Sequence, residues 1–365
     1  MEPSTLPIPR RAALSMDVAA FLRKRLQQGD WAPCMPGELD LARSLQVGRN
    51  TIRAALVILE KEGWVRKISG RRREVIAPIK ESRSKLEKMA VMLMPAPWHT
   101  LAPSTLLWID ALRSILSSAG WHLQMLVDPS AFRRTPTVAL DSLLAQHPAK
   151  VWILFRSSKA MQSWFEKQEV ATVVAGSCHP GIQLPQVDTD FRATSRHAAA
   201  RFLGLGHRHL AVLAPAVSFA GDDESLAGFR EGAGDADFKV HLCHDSKTNV
   251  IKTLRSILSA TQRPTALFVF EAGHAATALT YLSQQDVKVP AQISVLSRDH
   301  EPFLTHLVPE PARYERQPEI FAKKLAHHIA TLGSGLPPKK TQQLLMPTFV
   351  RGETLGPAPV PKKNR

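Results

Sequence analysis

No run in this chain approaches the roughly 20 consecutive apolar residues of a membrane span. The N-terminal stretch MEPSTLPIPRRAALSMDV also lacks the apolar core of a secretory leader. A spanning or exported protein is therefore not expected, and the chain reads as cytoplasmic. Cysteine is scarce: Cys34, Cys178 and Cys243 lie far apart with no CxxC pair. That excludes a disulfide framework and fits reduced thiols.

Signatures of catalysis are missing as well. There is no nucleophile elbow, phosphate loop or metal-binding pair, so neither enzyme activity, a cofactor nor a metal is expected. GLGHRHLA (204–211) places its glycines after a helix and before a strand, the reverse of a dinucleotide loop, with Gly206 as a helix cap. HLCHD (241–245) sits at a strand end without a second ligand pair and reads as ordinary side chains. Cys178 beside His179 is adjacency in sequence, which does not make a nucleophile–base dyad. Trp98, Trp108, Trp121, Trp152 and Trp164 read as core or pocket-wall aromatics.

What the chain has in excess is positive charge. Its 365 residues carry 47 Lys+Arg against 32 Asp+Glu, a formal net of +15. Such a balance favours a polyanionic partner, nucleic acid or an anionic membrane surface. Residues 1–88 hold 18 basic against 10 acidic residues, a net of +8. About half of the excess thus lies in a quarter of the chain, which ends in the polar PIKESRSKLEKMA (78–90). A membrane-binding stripe is a lone amphipathic helix. Here apolar residues recur over several helices, which predicts a small packed domain that binds DNA.

In that domain, Val18, Phe21 and Leu22 predict a first helix over about 12–28. GELDLARSLQ predicts a second, with Pro36 at its start and Leu41, Ala42 and Leu45 inward. Val47-Gly48 makes a tight turn, and a third helix runs from Arg49 to about Lys61. At about 100° per residue, Ile52, Ala55, Leu56 and Leu59 share one face, and Arg49, Arg53 and Glu60 the next, with Asn50 at the margin. Two helices joined by a short turn, with Arg49, Asn50, Thr51 and Arg53 at the start of the second, suit a major-groove reader. Arg matches guanine, Asn adenine, and Thr a phosphate or a thymine methyl. GWVRKISGRRREVIAP then alternates as two strands around Ser69-Gly70, with Arg71, Arg72 and Arg73 as a basic tip for phosphates or a minor groove.

The segment CMPGELDLARSLQVGRNTIRAALVILEKEGWVRKISGRRREV resembles the winged helix-turn-helix of the GntR family of bacterial regulators. Met35-Pro36, Leu41-Ala42, Arg49, Thr51, Arg53, Glu62-Gly63 and Gly70-Arg71 carry the likeness. The resemblance implies DNA contacts from Arg49, Asn50, Thr51 and Arg53 and from the wing residues Gly70, Arg71, Arg72 and Arg73. Leu39 stands where that family usually has a phosphate-contacting arginine.

From residue 89 on, eight short apolar runs, KMAVMLMPA through QISVLSRD, alternate with amphipathic stretches such as 104–119, 191–203, 222–233, 248–260 and 275–284. Continuous apolar strands separated by helices mean parallel sheets covered on both faces. Eight units exceed one ordinary sheet, so two α/β lobes are expected. RFLGLGHRHLAVLAP, RPTALFVFEAGHAATALTYLSQQDVKVPAQISVLSRD and LLMPTFVRGET resemble the effector domain of LacI/GalR-type repressors, built like periplasmic sugar-binding proteins. Ser225 takes the place of the family's sugar-gripping arginine, Glu271-Ala272 that of Asn-Asp, and Ser297-Arg298 that of Gly-aromatic. Asp299 is retained.

These readings predict an α/β chain with a flexible N-terminus (1–11), a winged helix-turn-helix domain (12–78), a linker (79–88), a two-lobed periplasmic-binding-protein-like domain (89–355) and a disordered tail (356–365). The expected function is a dimeric DNA-binding transcription regulator, a repressor by the family likeness. A polar, non-anionic small molecule such as a sugar is expected in a pocket of Trp98, Arg156, Ser225, Glu271 and Asp299. The alternative is a regulator whose large domain serves dimerisation or a protein partner without a small ligand.

Overall fold

A computed structural model describes residues 11–27, 31, 34–68, 73–76, 88–338 and 341–360. The chain forms two compact units, Met1–Lys85 and Leu86–Arg365. Gly70, Arg71 and Arg72 lie outside the described residues, as do most of the expected linker and residues 361–365.

The small unit holds α1 (Arg11–Gln27), α2 (Glu38–Leu45), α3 (Arg49–Lys61) and the strands β1 (Val65–Lys67) and β2 (Arg73–Val75). The two strands pair antiparallel, with Val65 opposite Val75 and Lys67 opposite Arg73. Ile52, Ala55, Leu56 and Leu59 are buried as their spacing requires, against Val18, Leu22, Leu26, Leu41 and Trp64. The helix expected over about 12–28 is α1; Phe21 is exposed on it, while Ala19 joins Val18 and Leu22 in the core. The turn before α3 also differs. Gln46 adopts the left-handed conformation (φ 52°) and closes α2, while Gly48 is an extended N-cap.

The large unit consists of two lobes. The first contains a sheet ordered β13 (Gln342–Leu345), β7 (Gln186–Thr189), β6 (Thr172–Ala175), β5 (Val151–Phe155), β3 (Met89–Met94), β4 (His122–Val127), all parallel. The second is ordered β14 (Thr348–Val350), β12 (Ala312–Glu315), β11 (Ser294–Ser297), β10 (Ala266–Val269), β8 (His209–Pro215), β9 (Asp237–Cys243), parallel except for β14. Strands β3, β5, β6, β10 and β11 are buried almost throughout because helices cover both faces.

The helices are α4 (Pro103–Ser118), α5 (Thr137–Gln146), α6 (Lys159–Lys167), α7 (Phe191–Gly204), α8 (Ala220–Ala233), α9 (Lys247–Leu258), α10 (Ala272–Gln284) and α11 (Pro318–Gly333). The chain crosses between lobes after β7, after β12 and between β13 and β14. Helix α11 therefore follows a second-lobe strand yet packs in the first-lobe core beside Trp108 and Leu112. Helices α7 and α8 touch through glycine: a Cβ on Gly228 would stand 2.0 Å from the Arg192 carbonyl oxygen, and one on Gly232 2.3 Å from that of Arg196.

The expectation of disorder from residue 356 is corrected for 356–360. The Gly356 amide donates to Ser294 Oγ (3.0 Å), and the Ala358 amide donates to the Leu205 carbonyl (2.8 Å). His207, fully buried, reaches the Gly356 carbonyl at 3.0 Å. The low complexity of GPAPV hides these backbone bonds.

Candidate functional site

In the small unit, Arg49, Asn50 and Arg53 are exposed along the start of α3, and Thr51 is half-buried beside them. Arg49 and Arg53 share a neighbour in Glu38, the first residue of α2. Its carboxylate lies 3.7 Å from Arg49, 3.3 Å from Arg53 and 3.2 Å from Arg73. Partial burial raises the Glu38 pKa, but Arg73 and Arg53 outweigh it and hold the group below the usual carboxylate range. Arg73 corrects the expectation of a three-arginine tip. It is buried, donating to Glu60 (2.6 Å) and Glu38 (3.2 Å), because the strand's alternation turns it toward α3 with Val75. It anchors the hairpin to the helix instead of facing outward.

In the large unit, a cavity of about 660 Å³ lies between the lobes, at the carboxyl ends of the strands. Of the five residues expected there, Arg156, Glu271 and Asp299 line it. Trp98 does not: it is 56% exposed on a short 3-10 turn, edge-on to His99. Ser225 does not either. It is fully buried within α8, where its hydroxyl donates to the Gly221 carbonyl (2.8 Å). A surface turn carries Trp98 away, and Ser225 is enclosed where its helix packs.

Arg298, read from sequence only as a replaced aromatic, fills the space above Ser225. Its guanidinium donates to Asp222 (2.6 Å), Ser225 (3.0 Å) and Asp299 (3.2 Å). It lies between the rings of Phe270 and Phe191, at 4.3 and 4.7 Å from their centroids. Burial alone lowers an arginine's pKa, but Asp299 and Asp222 more than reverse that, so the charge is locked on. Asp299 also accepts from Arg316 (2.5 Å) and is held below its usual range although burial pushes it up. Gly221 makes room for this stack: a Cβ there would stand 2.7 Å from the Phe191 ring.

Asp188, on the first-lobe side, was not read from the sequence. It accepts from Ser177 Oγ (2.7 Å) and the Thr189 amide (2.7 Å), yet burial dominates and lifts its pKa to about 6. Burial likewise raises Glu271, against the pull of His274, with Asp245 and Asp299 adding to the rise. The lobes touch at the rim. Glu301 of the second lobe accepts from the Ser104 amide (3.0 Å) and hydroxyl (2.5 Å), supplying the cap that α4 otherwise lacks. Arg156, in the left-handed region (φ 52°), lies over Phe219 of the second lobe at 5.9 Å. Burial, with the nearby Glu166 and Asp188, raises the Cys178 thiol to about 12.

Comparison with known proteins agrees with both halves. Residues 14–75 match the family of bacterial regulatory proteins of the GntR type, and residues 199–355 match the periplasmic binding protein-like domain. The structure is similar to that of a protein assigned as a transcriptional regulator from Yersinia pestis biovar Microtus (TM-score 0.67, 19% identity, covering 74% of this chain and 99% of that one). It is also similar to a LacI-family regulatory protein from Chloroflexus aggregans (0.66, 16%, 73% and 99%). A third similar structure is the transcriptional regulator CelR in complex with cellobiose (0.64, 17%, 88% and 100%). Among the described residues no helix is long and apolar enough to cross a membrane. The chain thus joins a segment that matches the GntR-type bacterial regulatory proteins to a large unit with the periplasmic-binding-protein-like fold of LacI-type regulators, the make-up of a transcription regulator.

Proposed function

We propose that this regulator reads a specific operator through Arg49, Asn50, Thr51 and Arg53 and is controlled by a polar, non-anionic small molecule held between the lobes. The observation that carries the effector class is the charge of the cavity wall. Among the described residues, Asp188, Asp222, Glu271, Asp299, Glu315 and Glu319 line it against three arginines, Arg156, Arg298 and Arg316. Two of those arginines are already bound to Asp299. An anionic ligand meets a wall with more carboxylates than arginines, whereas hydroxyl or ammonium groups find acceptors. Trp108, Phe155 and Phe321 add apolar faces suited to a ring.

A sugar satisfies both features, and the cellobiose complex of a similarly folded regulator supports that choice. The protein acts as a two-fold dimer on a pseudo-palindromic site, because one small winged domain spans only a few base pairs. Relief of repression follows if the ligand favours the lobe arrangement that binds DNA less tightly. A thermal-shift screen of neutral sugars, amines and sugar acids tests the effector class. Neutral sugars or amines should raise the melting temperature. Stabilisation by sugar acids alone rejects the proposed chemistry.

A further inference from the structure

Three residues that no sequence motif joins meet at the carboxyl ends of β9 and β10, which flank β8 in the second lobe. Asp245 follows β9, Glu271 is the N-cap of α10, and His274 lies in the first turn of that helix. His274 Nε2 is 3.1 Å from a Glu271 oxygen and 3.4 Å from an Asp245 oxygen. One donor atom from each residue lies within 4.8 Å of the others.

The imidazole is the informative part. His274 is only 3% exposed, and both ring nitrogens are sealed from solvent without a hydrogen-bond partner among the described residues. A buried nitrogen without a hydrogen-bond partner is costly, so such groups are rare unless they serve another purpose. An imidazolium ion pair aims its N–H at one carboxylate. Here Nε2 reaches both carboxylates and hydrogen-bonds to neither.

We propose that Asp245, Glu271 and His274 form a site for a first-row divalent cation of the zinc type. A cation about 2.1 Å from each donor separates neighbouring donors by about 3.0–3.4 Å, the spacing found around Nε2. One imidazole with two carboxylates suits such an ion better than Mg²⁺ or Ca²⁺, which prefer oxygen alone. Three protein ligands leave positions open to water, and the exposed Asp245 side is the entry path. Because Glu271 lines the interlobe cavity, metal occupancy withdraws one acceptor from it. The site stands whether or not the cavity takes a sugar.

The test is calorimetric titration of Zn²⁺ into the chelator-treated full-length protein, in millimolar Mg²⁺, with Co²⁺ absorption as a second readout. One equivalent should bind, and Asp245→Asn and His274→Gln should each weaken it at least ~10-fold, the loss that even outer-shell partners of a metal cause. His244→Gln should leave binding unchanged. Asp245 is exposed, so its variant reports on the site even if His274→Gln fails to fold. Absence of Zn²⁺ binding, or equal affinity in wild type and Asp245→Asn, overturns the proposal.

Discussion

Replacing Arg298 with methionine removes a charge while keeping most of the apolar stem between Phe191 and Phe270. The variant leaves Asp222 and Asp299 in place. Asp222, 6% exposed, loses a 2.6 Å charge-assisted hydrogen bond and has no other ion-pair partner among the described residues, whereas Asp299 keeps Arg316. Breaking one side of a buried pair typically costs about 3–5 kcal/mol, because the surviving charge stays desolvated. Loss of two cation–π contacts adds about 1–2 kcal/mol, partly offset by the methionine's own packing. A destabilisation of about 4 kcal/mol is therefore expected in urea unfolding of the large domain. Adding Asp222→Asn should recover part of it, since the amide needs no counter-ion. A loss below about 1 kcal/mol, or no recovery in the double variant, refutes a desolvated ion pair as the organiser of the cavity.

Asp188 gives a pH signature. Its folded pKa, about 6, exceeds the unfolded 3.8, so its stabilising effect is full below pH 4 and is lost as pH rises to about 6. Asp188→Asn should flatten that window and stabilise the protein near neutrality by up to about 3 kcal/mol; an unchanged stability–pH curve rejects the shift. Gly228→Ala, whose Cβ would meet the Arg192 carbonyl, should cost about 1–3 kcal/mol or more, and a cost under about 0.5 would mean α7 and α8 separate freely. Glu38→Gln should free Arg49 and Arg53, raise affinity for DNA and steepen its salt dependence by about 0.9 for each additional phosphate neutralised. Equal affinity and slope would show that Glu38 does not restrain those arginines.

Much of the architecture was legible because its signals are local. All eight apolar runs became strands, and the 3.6-residue period of 49–61 located α3 and its buried face. Strands β7, β12, β13 and β14 were missed because residues such as Gln186, Asp188, Arg313 and Glu315 give them a polar, loop-like reading. Those polar strands flank the interlobe crossings, and β7 delivers Asp188 to the cavity. The position of Arg298 was equally hidden. Its guanidinium reaches across from the end of β11 to Ser225 on α8, a relation between distant segments that no spacing encodes. The same holds for Asp245, Glu271 and His274, which sequence order scatters and the second sheet gathers. Arg73 shows the opposite error, where a charge run suggested exposure but strand alternation turned one member inward.

A ligand held between the lobes should bias DNA binding. That bias is tested most directly by titrating a stabilising sugar or amine into the protein free and saturated with an operator selected from genomic DNA. Linkage requires the ligand's affinity to differ between the two titrations by the same factor as the ligand changes operator affinity, typically about 5–150-fold. Ligand binding to the operator complex should be the weaker of the two, as for a repressor released by its effector. Equal ligand affinity in the presence and absence of operator contradicts it.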